Sequence, residues 1–136
     1  MHDYNERREG MPKAINVGVA AKIGKYSDAV LVEHSKRQLY VSGTPGIRKD
    51  GSIPAGFAEQ AELAWQNLVE ILDAAGMTVQ NLVKINQYLL RAGDIPANGP
   101  IRLKHLGDNR PASMLSVVPA LVKPEILFEI EAFACD

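Results

Sequence analysis

The sequence predicts a single α+β domain in which the elements follow the order β-β-α-β-α-β-β around a mixed sheet. Apolar residues recur at helical spacing over residues 56–75, whereas apolar and acidic residues alternate over residues 128–132. Two helices are too few to cover both faces of such a sheet, so we place them on one face. The other face needs a different cover, and we therefore expect the chain to associate with itself.

The bulk composition narrows the classes of function. The 136 residues include 15 basic and 16 acidic side chains, a formal net charge of −1. This balance gives no general attraction to nucleic acid or to an anionic membrane, so we expect neither as a partner. No apolar run reaches the roughly 20 residues that span a bilayer. With one cysteine, Cys135, and no secretory signal in the first ten residues, we expect a cytoplasmic protein.

The N-terminal part of the chain contains an extension and a hairpin in our prediction. Residues 1–13 are polar and mixed in charge, which indicates a flexible extension before a single domain over residues 14–136. Residues 29–33 and 38–42 are short apolar segments joined by polar residues, a pattern typical of an antiparallel hairpin.

The middle of the chain predicts the longer helix and a strand. The apolar stripe of residues 56–75 ends just before Gly76, which stands where a C-terminal cap belongs. Trp65 lies on that stripe, so we expect it in the core. Residues 79–90 alternate as in a strand, which places Leu82 and Lys84 on the same side.

The last third predicts a second helix and two more strands. The helix begins at Asp94, has Pro96 in its first turn and ends near Gly107. Strands follow over residues 113–118 and 126–134, and we expect these two segments to face each other.

The final strand carries two carboxylates within an apolar run. Glu129 and Glu131 are two residues apart and share one face, while Phe128, Ile130 and Ala132 take the other. Because burying an unpaired carboxylate is costly, this acidic face is either wet or lines a site that uses the charge. For Glu129 the alternative to a site role is an exposed or interface ion pair. We expect Glu131 to pair with a cation or face solvent.

Several motifs, in one order and spacing, resemble the Rid family (YjgF/YER057c/UK114, also called endoribonuclease L-PSP). Residues 22–29 resemble the family's Ile-Gly-Pro-Tyr-Ser-Gln-Ala segment, and residues 39–43 its strand that ends in Ser-Gly. Residues 71–76 resemble the end of its long helix. Residues 110–113 and 128–132 resemble its Pro-Ala-Arg-Ser and Ile-Glu-Ile-Glu-Ala signature.

This resemblance implies a chorismate-mutase-like homotrimer with small-molecule sites in the clefts between subunits. In the family's deaminases an arginine binds the carboxylate of a 2-imino acid. A glutamate of the last strand positions the water that hydrolyses the imine to a keto acid and ammonia. By position, the resemblance assigns the catalytic role to Glu129 and substrate binding to Tyr26, Ser42, Gly43, Asn98 and Ser113.

Ser113 stands where the family pattern has its arginine. An arginine holds a carboxylate through two parallel hydrogen bonds, whereas serine offers one neutral hydroxyl. Removing one partner of a buried charge pair costs roughly 3–5 kcal/mol, so we expect altered specificity. Arg110 is a possible replacement cation. It lies about 10 Å upstream along a strand, with the wrong face parity, so a solvated loop cation is the alternative.

Three functions follow from this reading. The first is an imine or enamine deaminase, a hydrolase acting on C=N, of altered specificity. The alternative is a non-catalytic metabolite-binding or regulatory trimer, which the missing arginine favours. A ribonuclease ranks last, because the near-neutral charge offers no basic surface for RNA. No spacing of His, Cys, Asp and Glu resembles a zinc site, so we expect neither a metal nor a cofactor.

Overall fold

The computed structural model describes residues 12–136, so residues 1–11 of the predicted extension lie outside the described part. The strands in this part are β1 (Lys13–Ile15), β2 (Ala29–Leu31), β3 (Gln38–Pro45), β4 (Leu82–Leu89), β5 (Ala112–Val117) and β6 (Phe128–Cys135). The α-helices are α1 (Phe57–Ala74) and α2 (Ile95–Leu106). None of the helices in residues 12–136 is long and apolar enough to cross a membrane.

The main sheet has four strands in the order β3-β6-β4-β5. Strand β6 is antiparallel to both of its neighbours, whereas β4 and β5 are parallel. The predicted mixed sheet is therefore confirmed. The expectation that the last two strands face each other is wrong, because β4 lies between β5 and β6.

The predicted hairpin is also wrong. Strand β2 pairs with β1, with Val30 opposite Ala14, in a separate two-stranded sheet. Strand β3 pairs instead with β6, where Val41 lies opposite Ala132. The physical reason is burial: the inward side chains of β3 match those of β6 over the core, whereas β2 has no buried residue.

Helix α1 supplies much of the core and ends where the sequence predicts. Trp65, Leu68 and Leu72 are fully buried against the sheet. Gly76 adopts a φ of +70°, and the N–H of Met77 donates to the carbonyl of Leu72 over 2.9 Å. This left-handed glycine closes the helix in the way that the sequence indicates.

Helix α2 lies on the same side of the sheet as α1. It starts after Asp94, with a proline in its first turn, and ends before Gly107, which has a φ of +59°. The ring of His105 stacks on Trp65 at 5.5 Å, and its Nε2 lies 2.7 Å from Glu62. These contacts fix α2 against α1, so both helices cover one face, as predicted.

The two faces of the sheet follow the alternation of β4 and β6. Phe128, Ile130 and Ala132 are fully buried under the helices, so Glu129 and Glu131 lie on the other face, as predicted. In β4 the side chains of Ile85, Gln87 and Leu89 face the helices. Leu82 is also buried, unlike Lys84, because the pairing register shifts between them. This irregularity breaks the predicted alternation. Hereafter the side of the sheet without helices is called the helix-free face.

Candidate functional site

A cleft of about 390 Å³ opens at the edge of the sheet, between α2, β5 and residues 23–26. We call it the edge cleft. Three of the predicted site residues, Tyr26, Asn98 and Ser113, line it together, and so does Arg102. The structure therefore brings half of the predicted site into one place and adds a cation to it.

The segment that carries Tyr26 is held by hydrogen bonds on both sides. The Asp28 carboxylate accepts from the backbone N–H groups of Val17 over 2.6 Å and Ala20 over 2.7 Å. These donors hold the pKa of Asp28 below its usual range. The Ser27 hydroxyl donates to the Arg110 carbonyl, two residues before β5 begins, and Ser27 also forms a β-bridge with Ala112 of β5. This wall of the edge cleft is thus fastened to the strand that carries Ser113.

Ser113 faces the helices. It lies opposite Ile85 in the parallel pairing of β4 and β5, and Ile85 is fully buried on the helical side. Residues that oppose each other in neighbouring strands share a face. The hydroxyl of Ser113 therefore belongs to the wall of the cleft that faces α2.

Asn98 is almost fully buried, with 1% of its surface exposed. Its Nδ2 donates to Oε1 of Gln87 on β4 over 2.9 Å. Its Oδ1 is buried and has no hydrogen-bond partner. Nε2 of Gln87 is likewise buried without an acceptor among residues 12–136, so the two unpaired groups belong to one buried amide pair.

Arg102 is the cleft residue that the sequence analysis missed. It lies one helical turn after Asn98, so both side chains project from the same side of α2. Its Nε is buried without a hydrogen-bond partner. Burial, followed by the charge of Arg110, lowers the pKa of Arg102 from its usual range. With a guanidinium in the cleft, Ser113 alone no longer argues for altered specificity.

Arg110 does not enter the edge cleft as a replacement for the family's arginine. Its Nη1 donates to the carbonyl of Gly107 over 2.6 Å and to that of Asn109 over 2.9 Å. It is not among the residues that line the edge cleft. Arg110 therefore adds positive charge near the cleft, whereas Arg102 supplies the guanidinium inside it.

The remaining predicted residues form a second group. A Cβ placed on Gly43 would lie 3.0 Å from Oε1 of Glu129, so the absence of a side chain lets the carboxylate lie against this strand. Gly43 and Ser42 fall where β3 shifts its register against β6. Burial raises the pKa of Glu129, and no cation pairs with it among residues 12–136. We call this group the acid site.

The neighbouring acid, Glu131, is engaged differently. Its Oε1 accepts a hydrogen bond from Nδ2 of Asn86 over 2.7 Å. The half-buried Glu131 was expected to pair with a cation or to face solvent, and it pairs instead with a neutral amide on the neighbouring strand.

The edge cleft and the acid site lie on opposite faces of the sheet. Ser113 is opposite Ile85 of β4, whereas Glu129 is opposite Tyr88. An odd separation of three residues along one strand reverses the side. Within one chain, Glu129 therefore does not meet Tyr26 or Asn98.

Comparisons with known proteins agree with this fold. The family model described as endoribonuclease L-PSP matches residues 17–136. The 2-iminobutanoate/2-iminopropanoate deaminase of Rattus norvegicus is 40% identical over 116 residues, which cover 84% of this chain and 82% of that protein. The Homo sapiens protein of the same name is 38% identical over 114 residues, covering 82% and 80%.

Solved structures lead to the same family. The crystal structure of YyfB from Yersinia pestis, a Rid family protein, superimposes with a TM-score of 0.81 at 28% identity, covering 92% of this chain and 98% of that one. RidA from the Antarctic bacterium Psychrobacter sp. gives a TM-score of 0.70 at 30% identity, covering 84% and 90%. Sequence and structure together show that this chain belongs to the Rid family, the endoribonuclease L-PSP family.

Proposed function

We propose that this protein hydrolyses imines or enamines to the corresponding carbonyl compound and ammonia. Relatives at 37–40% identity are named imine deaminases, which supports this class of reaction. The observation that carries the proposal is the half-buried Glu129 carboxylate lying against Gly43, with its pKa raised by burial.

The chemistry needs one group that accepts and then returns a proton. Water adds to the carbon of a C=N bond whose nitrogen is protonated while Glu129 accepts a proton from the water, and the resulting carbinolamine carries an amino and a hydroxyl group. Glu129 returns this proton to the nitrogen. The C–N bond then breaks as ammonia leaves, and the hydroxyl proton passes to Glu129 as the C=O bond forms. A carboxylate with a raised pKa suits both steps, because it is a stronger base than an exposed glutamate and its acid form can return the proton.

We further propose that the reactive site forms between copies of the chain in a homotrimer. Tyr40 is 70% exposed and Met114 is 58% exposed, and both belong to the helix-free face. This face also carries Glu129, so a neighbour that covers it removes apolar surface from water. In this arrangement the Glu129 of one chain meets the edge cleft of the next, which joins the two half-sites.

The test measures ammonia release from imines generated in situ, comparing imines that carry a carboxylate group with imines that lack one. We expect turnover by the wild type and a loss of about 10²–10⁴-fold in Glu129→Gln. Glu131→Gln is the matched control, because it removes the neighbouring carboxylate of the same strand, and we expect it to retain most of the activity. Absence of turnover with neutral, acidic and basic imines would contradict the enzymatic proposal.

A ligand-binding protein without turnover is the second candidate. The serine at position 113, where the family pattern has arginine, favours it. Thermal-shift screening separates the two functions, because a ligand that binds the folded state raises the melting temperature. A metabolite that stabilises the protein and is recovered unchanged supports binding without turnover.

A further inference from the structure

We infer that Arg102 on α2 is the anion-binding residue of the edge cleft, and that its ligands are small carboxylates. The reaction in which such a ligand takes part rests on the proposed function, but its binding does not. The guanidinium thus comes from the helical wall of the cleft, opposite the strand position that Ser113 occupies.

The position of Arg102 supports this role. Its Nη2 lies 3.8 Å from the place that a Cβ on Gly24 would take, so the side chain reaches across from α2 to the loop. Ser113 lines the same cleft from β5. An anion between these walls has the guanidinium on one side and a hydroxyl donor on the other.

The guanidinium of Arg102 has a buried hydrogen-bond donor that lacks an acceptor. Nε of Arg102 is buried and donates to nothing. A buried donor without an acceptor carries a desolvation cost that an incoming carboxylate removes. The fork of a guanidinium also matches the two oxygens of a carboxylate, whereas a neutral carbonyl satisfies only one donor.

The charges around the cleft point to the same ligand class. No Asp or Glu lines the edge cleft, and the salt bridges of residues 12–136 do not include Arg102. Arg110 is close enough to act on Arg102 as a like charge. Two neighbouring cations without a counter-ion repel each other, and an anion in the cleft relieves this repulsion.

Asn98 lines the same cleft one helical turn before Arg102. Its Oδ1 and Nε2 of Gln87, the amide that it contacts, both lack a hydrogen-bond partner among residues 12–136. These two groups complement each other, so the ligand class rests on the guanidinium of Arg102.

The test is isothermal titration with two small carboxylates, 2-oxobutanoate and 2-aminobutanoate, which carry a carbonyl and an ammonium group beside the carboxylate. We expect Arg102→Gln to weaken binding of both by about tenfold to a hundredfold. Arg102→Lys keeps the positive charge but loses the paired donors of the guanidinium. Its affinity should therefore lie between those of the wild type and Arg102→Gln. Arg48→Gln is the control for removal of an arginine charge, because Arg48 is an exposed arginine outside the edge cleft, and it should bind as the wild type does.

Each outcome decides for or against Arg102. Wild-type affinity in Arg102→Gln, or no binding of either carboxylate by the wild type, overturns the inference. Loss of binding in Arg110→Gln with full binding in Arg102→Gln also overturns the inference, and it would assign anion binding to Arg110. Partial recovery of carboxylate affinity in Arg102→Lys supports a role of the positive charge in binding over a role in folding. The melting temperature of Arg102→Gln checks that this variant remains folded.

Failure of this inference is distinguishable from failure of the proposed function. If the wild type binds 2-oxobutanoate through Arg102 but hydrolyses no imine, anion binding by Arg102 is supported and the enzymatic proposal is contradicted. If carboxylated imines are hydrolysed equally well by the wild type and Arg102→Gln, imine hydrolysis is supported and the role of Arg102 is contradicted.

Discussion

The edge cleft and the acid site differ in the groups that they leave unpaired. The cleft holds a guanidinium without a carboxylate, beside Asn98 with an unused acceptor. The acid site holds the Glu129 carboxylate on the opposite face of the sheet, and no cation of residues 12–136 pairs with it. The two regions are complementary in charge, yet one chain keeps them apart. In the proposed trimer, each region is half of a site and a second copy joins them.

The two regions also differ in how firmly their key group is placed. Glu129 lies on β6, an inner strand with neighbours on both sides, and Gly43 determines how closely it approaches β3. Arg102 lies on a helix and reaches toward a loop. The position of the acid is therefore tied to the backbone of the sheet, whereas the cation lies at the end of a long side chain that reaches across the cleft.

Moving the guanidinium from α2 to β5 tests whether the cleft tolerates either source. In Arg102→Gln, a second change of Ser113→Arg should regain about tenfold to a hundredfold in affinity for 2-oxobutanoate. The reason is that a guanidinium at position 113 enters the same cleft from the opposite wall. Titration calorimetry of the single and double variants measures this. If the double variant stays as weak as Arg102→Gln, the shape of the cleft and not only its charge limits binding.

Filling the space at Gly43 perturbs the acid site alone. A methyl group there meets Oε1 of Glu129 at 3.0 Å, so Gly43→Ala should displace the carboxylate and lower kcat by about tenfold. Binding of 2-oxobutanoate should stay unchanged, because the cleft lies on the other face. Steady-state kinetics and titration separate these effects. An equal loss of binding would contradict the separation of the two regions.

The pH dependence of turnover should report Glu129. Burial raises its pKa above the usual glutamate range, and only the ionised form accepts a proton from water. Activity should therefore rise with pH through a midpoint above about 4.3, the ordinary value for glutamate. A kcat/KM profile measures this midpoint. The residual activity of Glu129→Gln should not show this decrease in kcat/KM at low pH. If the decrease persists in this variant, it reports the titration of another group.

The smallest expected effect is on stability. A carboxyl whose pKa is raised in the folded state binds its proton more tightly there than in the unfolded chain. Its ionisation thus removes stability as pH rises through the folded-state pKa. Glu129→Gln removes this cost, so its melting temperature at pH 7 should equal or slightly exceed that of the wild type. A clear decrease would show that the carboxylate stabilises the fold.

Local periodicity was enough to predict α1, α2 and the two faces of β6. Trp65 and Leu68 recur at helical spacing and are buried, and Phe128 and Glu129 alternate as expected. The pairing of strands was not predictable in this way. Strand β3 pairs with β6 because their buried side chains match across some ninety residues of chain, and no local pattern reports such a match.

The candidate site was predictable in part. The family resemblance placed Tyr26, Asn98 and Ser113 in one pocket, and the structure brings them together. It did not predict Arg102, because one cation on a helix of mixed polarity looks like an exposed surface residue. The four-residue spacing from Asn98 was the available signal, since it puts both residues on one side of α2.

The most direct test of a site built from two chains is complementation between half-site variants. Arg102→Gln lacks the cation of the cleft, and Glu129→Gln lacks the acid, so each alone should hydrolyse carboxylated imines poorly. After the two are unfolded together and refolded as an equal mixture, roughly one interface in four should carry both intact halves. We predict that the mixture recovers about a quarter of the wild-type rate of ammonia release. A rate no higher than the mean of the two variants would contradict a site shared between chains.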